Sequence, residues 1–145
     1  MPFSLTGCEL NVYSNGNFTS SHILLGTALV TSIAPGDVYT LCHSSYALAD
    51  SAQCDQGTSS ANWNGNDALE LVCGTTMYDV IGQIGNNPGV EWGTGLLSTA
   101  DNTLLRVCTT VAGDTNGADA FDPAGQWTGY ATDSHFLGSR NCPNP

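Results

Sequence analysis

Lysine is absent from this chain, and its two basic residues, Arg106 and Arg140, face 13 Asp and Glu, giving a formal charge of −11 over 145 residues. Binding nucleic acid through phosphates requires clustered Lys and Arg that release counterions, and two arginines exclude it. Electrostatic attachment to an anionic membrane surface is excluded on the same ground. Long apolar runs are missing too: none approaches the roughly 18–20 residues of a spanning helix. Charged residues are scarce at 10%, and Gly, Asn, Ser and Thr supply the polarity in their place. Hydrophobic residues still make up 41%, enough for a packed core and too many for a disordered chain. One domain spanning residues 1–145 is expected, with an extended tail from about residue 139.

No C-x-x-C pair occurs among the six cysteines, Cys8, Cys42, Cys54, Cys73, Cys108 and Cys142. Structural zinc sites bring ligands in close pairs, so wide, even spacing reads as disulfides in an oxidising, extracellular compartment. Six cysteines allow fifteen pairings in principle, and local spacing favours Cys42 with Cys54, Cys108 with Cys142, and Cys8 with Cys73. Met1-Pro2-Phe3-Ser4 runs directly into domain-like sequence with no signal peptide, which reads as a mature form or a piece of a longer protein.

Short β-type runs alternate with turn chemistry along the whole chain. Leu5–Ser14 places Cys8, Leu10 and Val12 on one face and ends at Asn15-Gly16, a strong hairpin signal. Further strands are expected at His22–Val30, Val38–His43, Ala68–Cys73, Met77–Ile81, Thr103–Thr109 and Trp127–Thr132. Ser44–Ala49 reads as one short helix with serine caps. Ser51–Asn66, Gly82–Ala100 and Gly113–Gly125 read as long Gly-, Asn- and Asp-rich loops, with Trp92 anchoring the second. Regular short strands with no repeat of fixed period argue for an all-β sandwich or barrel.

Several residue sets carry candidate chemistry. Asp114, Asn116, Asp119 and Asp122 in GDTNGADAFDP alternate oxygen donors around a glycine, a pattern suited to Ca²⁺, although the loop lacks the closing Glu of an EF-hand. The competing reading is a loop held by Asx-turns. Asn64, Asn66 and Asp67 read more simply as a turn opening a strand than as a sugar or metal site. His22, His43 and His135 lie far apart in sequence, no G-x-S-x-G elbow is present, and Glu70 and Asp79 are ordinary acids in so acidic a chain, so no catalytic set is expected. Asn17-Phe18-Thr19 is a glycosylation sequon on a hairpin tip. Trp63, Trp92 and Trp127 sit beside Gly-rich loops, where core or loop anchoring is favoured over a carbohydrate platform.

Three segments, NWNGNDALELV (62–72), YDVIGQIGNNPGVEWG (78–93) and STADNTLLRVCTTVAGDTNGADAFDPAGQWTGYATDSHFLGS (98–139), resemble the lamin-tail domain family in its bacterial extracellular branch. LTGCELNVYSNGN and LVTSIAPGDVYTLCHSS resemble the family's preceding strands more loosely. The resemblance implies an immunoglobulin-like β-sandwich that is not catalytic and that often accompanies a secreted nuclease or other hydrolase. It also marks a departure: the family's opening strands, which precede the segment matched by Leu5–Ser14, are missing. A sandwich without them exposes an apolar groove and an unpaired edge. Either the sequence is a piece of a longer chain, or a neighbour's strand fills the gap. Strand donation between identical subunits is heterologous and builds open filaments when it does not close. The expected function is therefore a disulfide-stapled extracellular structural or assembly module, self-associating by strand addition. The alternative is an accessory domain attached to a secreted hydrolase.

Overall fold

A computed structural model describes residues 1–46, 52–140 and 142. Its centre is a four-stranded antiparallel sheet, ordered β3-β2-β7-β8, made of β2 (Cys8–Tyr13), β3 (Ser21–Leu24), β7 (Ala68–Cys73) and β8 (Thr76–Ile81). Two turns set it up. Asn15, in the left-handed region at φ 55°, and Gly16 turn β2 toward β3, while Gly74, at φ 62°, joins β7 to β8. Both positions favour Asn and Gly because a larger side chain meets its own backbone there. Four two-stranded pieces complete the described strands: β1 (Phe3–Ser4) with β4 (Ser32–Ile33), β5 (Leu41–His43) with β6 (Gln56–Thr58), β9 (Gly93–Thr94) with β10 (Leu97–Ser98), and β11 (Asn102–Arg106) with β12 (Trp127–Ala131). Only β5–β6 is parallel. The architecture is all-β, in several antiparallel sheets.

Alternation sorts the central sheet into two faces. On one, Cys8, Leu10 and Val12 stand opposite Cys73, Leu71 and Leu69, and Ile81 stands beside Leu69. This face looks toward the small sheets: Leu10 and Leu71 share a cavity with Phe3, Ile33 and Leu41, while Leu69 and Ile81 share another with Leu104 and Trp127. The buried apolar core is small, comprising Leu5, Cys8, Val12, Ile23, Cys42, Ala68, Val80 and Trp92. Leu10, Leu69 and Leu71, central in the sheet, are only half-buried. A bulge between Leu71 and Val72 leaves Tyr78 as the extra residue of β8, where its ring meets Phe3 edge-on at 5.5 Å.

The expected strands are found in shortened form at several places. Val38–His43 is extended in β5 only from Leu41, and His22–Val30 in β3 only to Leu24, because Gly26 at φ 85° turns the chain out. Two loop expectations are corrected. Ser51–Asn66 contains β6, held by parallel pairing to β5, and Gly82–Ala100 contains the β9–β10 hairpin. Neither pair is local alternation of the kind that sequence reveals. Of the expected helix, Ser44 to Tyr46 form a turn closed by the Tyr46 N–H on the His43 carbonyl, and Ala47–Ala49 lie outside the described residues. Trp92 is the loop anchor expected: it is buried, packs edge-on against Phe121 at 6.1 Å, and lies over Gly82.

Candidate functional site

Three disulfides join Cys8 to Cys73, Cys42 to Cys54 and Cys108 to Cys142, the pairs that local spacing favoured, and no free cysteine is present. Each ties a different part of the chain. Cys8 and Cys73 are register partners on β2 and β7 in the central sheet. Cys42 on β5 reaches Cys54 just ahead of β6, and Cys108 just after β11 holds the C-terminal segment at Cys142.

The Asp-rich loop uses its side chains on its own backbone. Asp114 accepts from the Asn116 N–H at 2.8 Å, Asn116 from Ala118 at 3.3 Å, and Asp122 caps the short helical turn at Pro123 by accepting from Ala124 at 2.9 Å. Asp119 is exposed. Among the described residues no three His, Cys, Asp or Glu side chains converge to hold a metal ion. These oxygens make Asx-turns, the alternative the sequence offered. Asn66 and Asp67 likewise serve a turn. Asn66 donates to the Asn15 side chain and the Gly89 carbonyl, and Asp67 accepts from the Asn15 N–H, clamping the β2–β3 turn to the start of β7. Asn17 stands exposed on that turn, and Trp63 lies at the rim of a cavity shared with Asp67 and Trp127.

Two polar clusters escape sequence reading. Across the second face of the central sheet, His22, Asn11, Glu70 and Val80 fall in one cross-strand row. Asn11 and Glu70 are buried; the Asn11 amide donates to Glu70 at 2.9 Å, the Tyr13 hydroxyl donates to the same oxygen at 2.7 Å, and His22 Nδ1 meets Asn11 at 2.7 Å. Burial, reinforced by the hydrogen bond and charge of Glu70, pushes the Tyr13 hydroxyl above its usual range. Hydrogen bonds of this kind let a carboxylate stay inside a sheet without a cation. The second cluster bridges sheets: Arg106 on β11 holds Asp79 on β8 with both terminal nitrogens, at 2.5 and 3.0 Å, and its guanidinium stacks 4.5 Å from the Trp127 ring centroid. Asp79 also accepts from the Asp114 N–H, and Arg140 donates to the Arg106 carbonyl, so both arginines of the chain work at one junction. In the sequence Asp79 reads as an ordinary acid, because the strands that bring it to Arg106 are 27 positions apart.

The space between β5 and β11 also gathers residues that the sequence scatters. A cavity of about 380 Å³ is lined by Leu41, Cys42 and His43 of β5, by Thr103, Leu104 and Leu105 of β11, and by His135 and Phe136. Two of the three histidines meet there, and none of the described residues lining it is acidic. His43 Nδ1 accepts from the Ser45 N–H, and His135 lies 3.3 Å from the Tyr46 hydroxyl. Comparison with protein-family models, with curated proteins and with solved structures found no match. No helix among the described residues is long and apolar enough to cross a membrane.

Proposed function

We propose that the chain is a non-catalytic structural module of the extracellular space, an immunoglobulin-like sandwich similar to lamin-tail domains. More particularly, it is an assembly subunit that joins copies of itself by strand addition into a filament or surface layer. The observation that carries this reading is a stapled but open β framework. Three disulfides staple the chain, β5 and β11 each have one strand partner among the described residues, and leucines at the middle of the central sheet are only half-buried. Three disulfides fit an oxidising compartment, since thiols are kept reduced inside most cells. Open edges are templates for pairing with another chain, which natural proteins either block or use. Light scattering and electron microscopy of the oxidised protein test the reading, with ordered multimers expected. A monomer that persists at millimolar concentration overturns it, as does metal-dependent cleavage of DNA or a glycan by the purified chain.

A further inference from the structure

We propose that the gap between β5 and β11 is an acceptor site for the segment Met1–Ser4 of a second copy of this chain; the proposal rests on the assembly reading and names its contact. Cavity, edges, charge and donor all bear on it. Side chains of a strand alternate between faces, so a cavity touching three successive residues of both β5 and β11 runs along their edges, not their faces. Among the described residues those edges carry no strand partner, the Arg140 side chain on the Arg106 carbonyl marking the end of the β11 edge. The Ser44 N–H donates to the Thr58 carbonyl and the Thr40 carbonyl accepts from Gln56, so the groups of Leu41 and His43 point away from β6. The Val107 N–H donates to Gln126, so Leu104 points away from β12. Among the described residues, the backbone groups of Leu41 and Leu104 have no backbone partner on that side. A strand laid between them pairs with both and joins β6-β5 to β11-β12 in a single sheet over the central one.

The occupant follows from charge and from pattern. Among its described residues the acceptor lining carries His43 and His135 and no acid, and an adjoining cavity that shares Leu105, His135, Phe136 and Leu137 adds Arg140. In a chain of net charge −11 this is the patch that another copy approaches with least repulsion. Among the exposed large apolar residues, Met1 and Phe3 are the one pair two positions apart, the spacing of a strand with one apolar face. Their segment carries no acidic residue before Glu9 and is held at home by two register pairs with β4 and the edge-on contact of Phe3 with Tyr78. Pro2 lacks an N–H and suits the start of a strand, leaving Phe3 and Ser4 to pair. Buried Leu5, bonded to Thr31, and the Cys8 disulfide keep the donor tethered to its own subunit.

Two variants test this. Phe3→Asp blocks the donor and His43→Glu blocks the acceptor; both side chains reach solvent, and circular dichroism checks each fold. By light scattering, wild type is expected as multimers and each variant alone as monomer. A mixture of the two is expected to stop at dimers, twice the 15.1 kDa of one chain, since one intact donor then meets one intact acceptor. That rescue also requires both variants to be folded. Multimers of wild-type size from either variant alone, or a mixture that stays monomeric, overturn the proposed contact while the assembly reading stands. A monomeric wild type overturns both.

Discussion

Tyr13 and Glu70 carry a cost that the rest of the sheet offsets: a carboxylate buried in an acidic protein is stable only while its hydrogen-bond donors hold. Losing the Tyr13 donor leaves Glu70 with the Asn11 amide alone. Tyr13→Phe is expected to lose roughly 1.5–3 kcal/mol in urea denaturation, the range for hydrogen bonds to charged groups. The same tyrosine sets an alkaline limit. Burial first, then Glu70, raises its pKa above the usual 10, and burial also raises that of Tyr39, where the Gly26 N–H opposes and Asp55 adds. A raised folded-state value means that the native protein holds the proton more tightly than the unfolded chain does. The stabilisation is complete below pH 10 and is lost as pH climbs through the raised values. Stability is therefore expected to fall steeply above that pH, and less steeply in the Tyr13→Phe/Tyr39→Phe double variant. Gly82 fails differently. At φ 86°, an added Cβ there lies 2.8 Å from the Trp92 ring and 3.1 Å from Ala68 Cα, so Gly82→Ala is expected to lose about 2–3 kcal/mol through backbone strain and overpacking. Sequence signalled Trp92 as an anchor because an aromatic in a Gly-rich stretch needs something to hold. The Asn11–Glu70–Tyr13 cluster gave no such signal, since Glu70 lies 59 and 57 positions from its two donors and each alone is an ordinary polar residue.

Strands long enough to show alternation were legible, and the short β6, β9 and β10 were not. The run at β7 and β8 alternates on both sides of Gly74-Thr75, so the chain announces its own hairpin. β6 is only Gln56–Thr58, polar and glycine-centred, and exists because β5 lies alongside it in parallel. β9 and β10 are two residues each. Disulfides act at this scale by tying such elements together. Cys8–Cys73 spans 65 residues and Cys42–Cys54 spans 12. In the loop-entropy account the longer closure removes more freedom from the unfolded chain, about 4 kcal/mol against about 3. Replacing Cys8 and Cys73 with alanine is therefore expected to lower urea stability more than replacing Cys42 and Cys54. The reverse order would mean that the β5–β6 region depends on its sulfurs for native geometry as well as for entropy. Arg106 joins elements with charge where sulfur does not: Arg106→Lys keeps the charge but forfeits the two-pronged grip on Asp79 and the stacking on Trp127. With both partners partly exposed, roughly 2 kcal/mol is expected from that change.

At the scale of the whole molecule, charge and shape pull against each other. Thirteen acids against two arginines repel within one subunit and between subunits, while half-buried leucines and open edges favour association. Arg106 is spent on Asp79 at the β8–β11 junction, and Arg140, bonded to the Arg106 carbonyl, leaves its charge beside the β5–β11 gap, so most of the surface stays acidic. Repulsion of this kind is long-range and screened, with a Debye length of about 30 Å at 0.01 M salt and about 8 Å at physiological ionic strength. Burial of apolar surface is not screened, and excluded salts such as sulfate strengthen it. Raising sodium chloride from low to physiological strength is therefore expected to raise the melting temperature and to increase multimer mass at fixed protein concentration. Replacing chloride with sulfate at equal ionic strength is expected to increase the mass again. Assembly that weakens as salt rises would show that attraction between charges, not strand pairing over an apolar groove, holds the copies together.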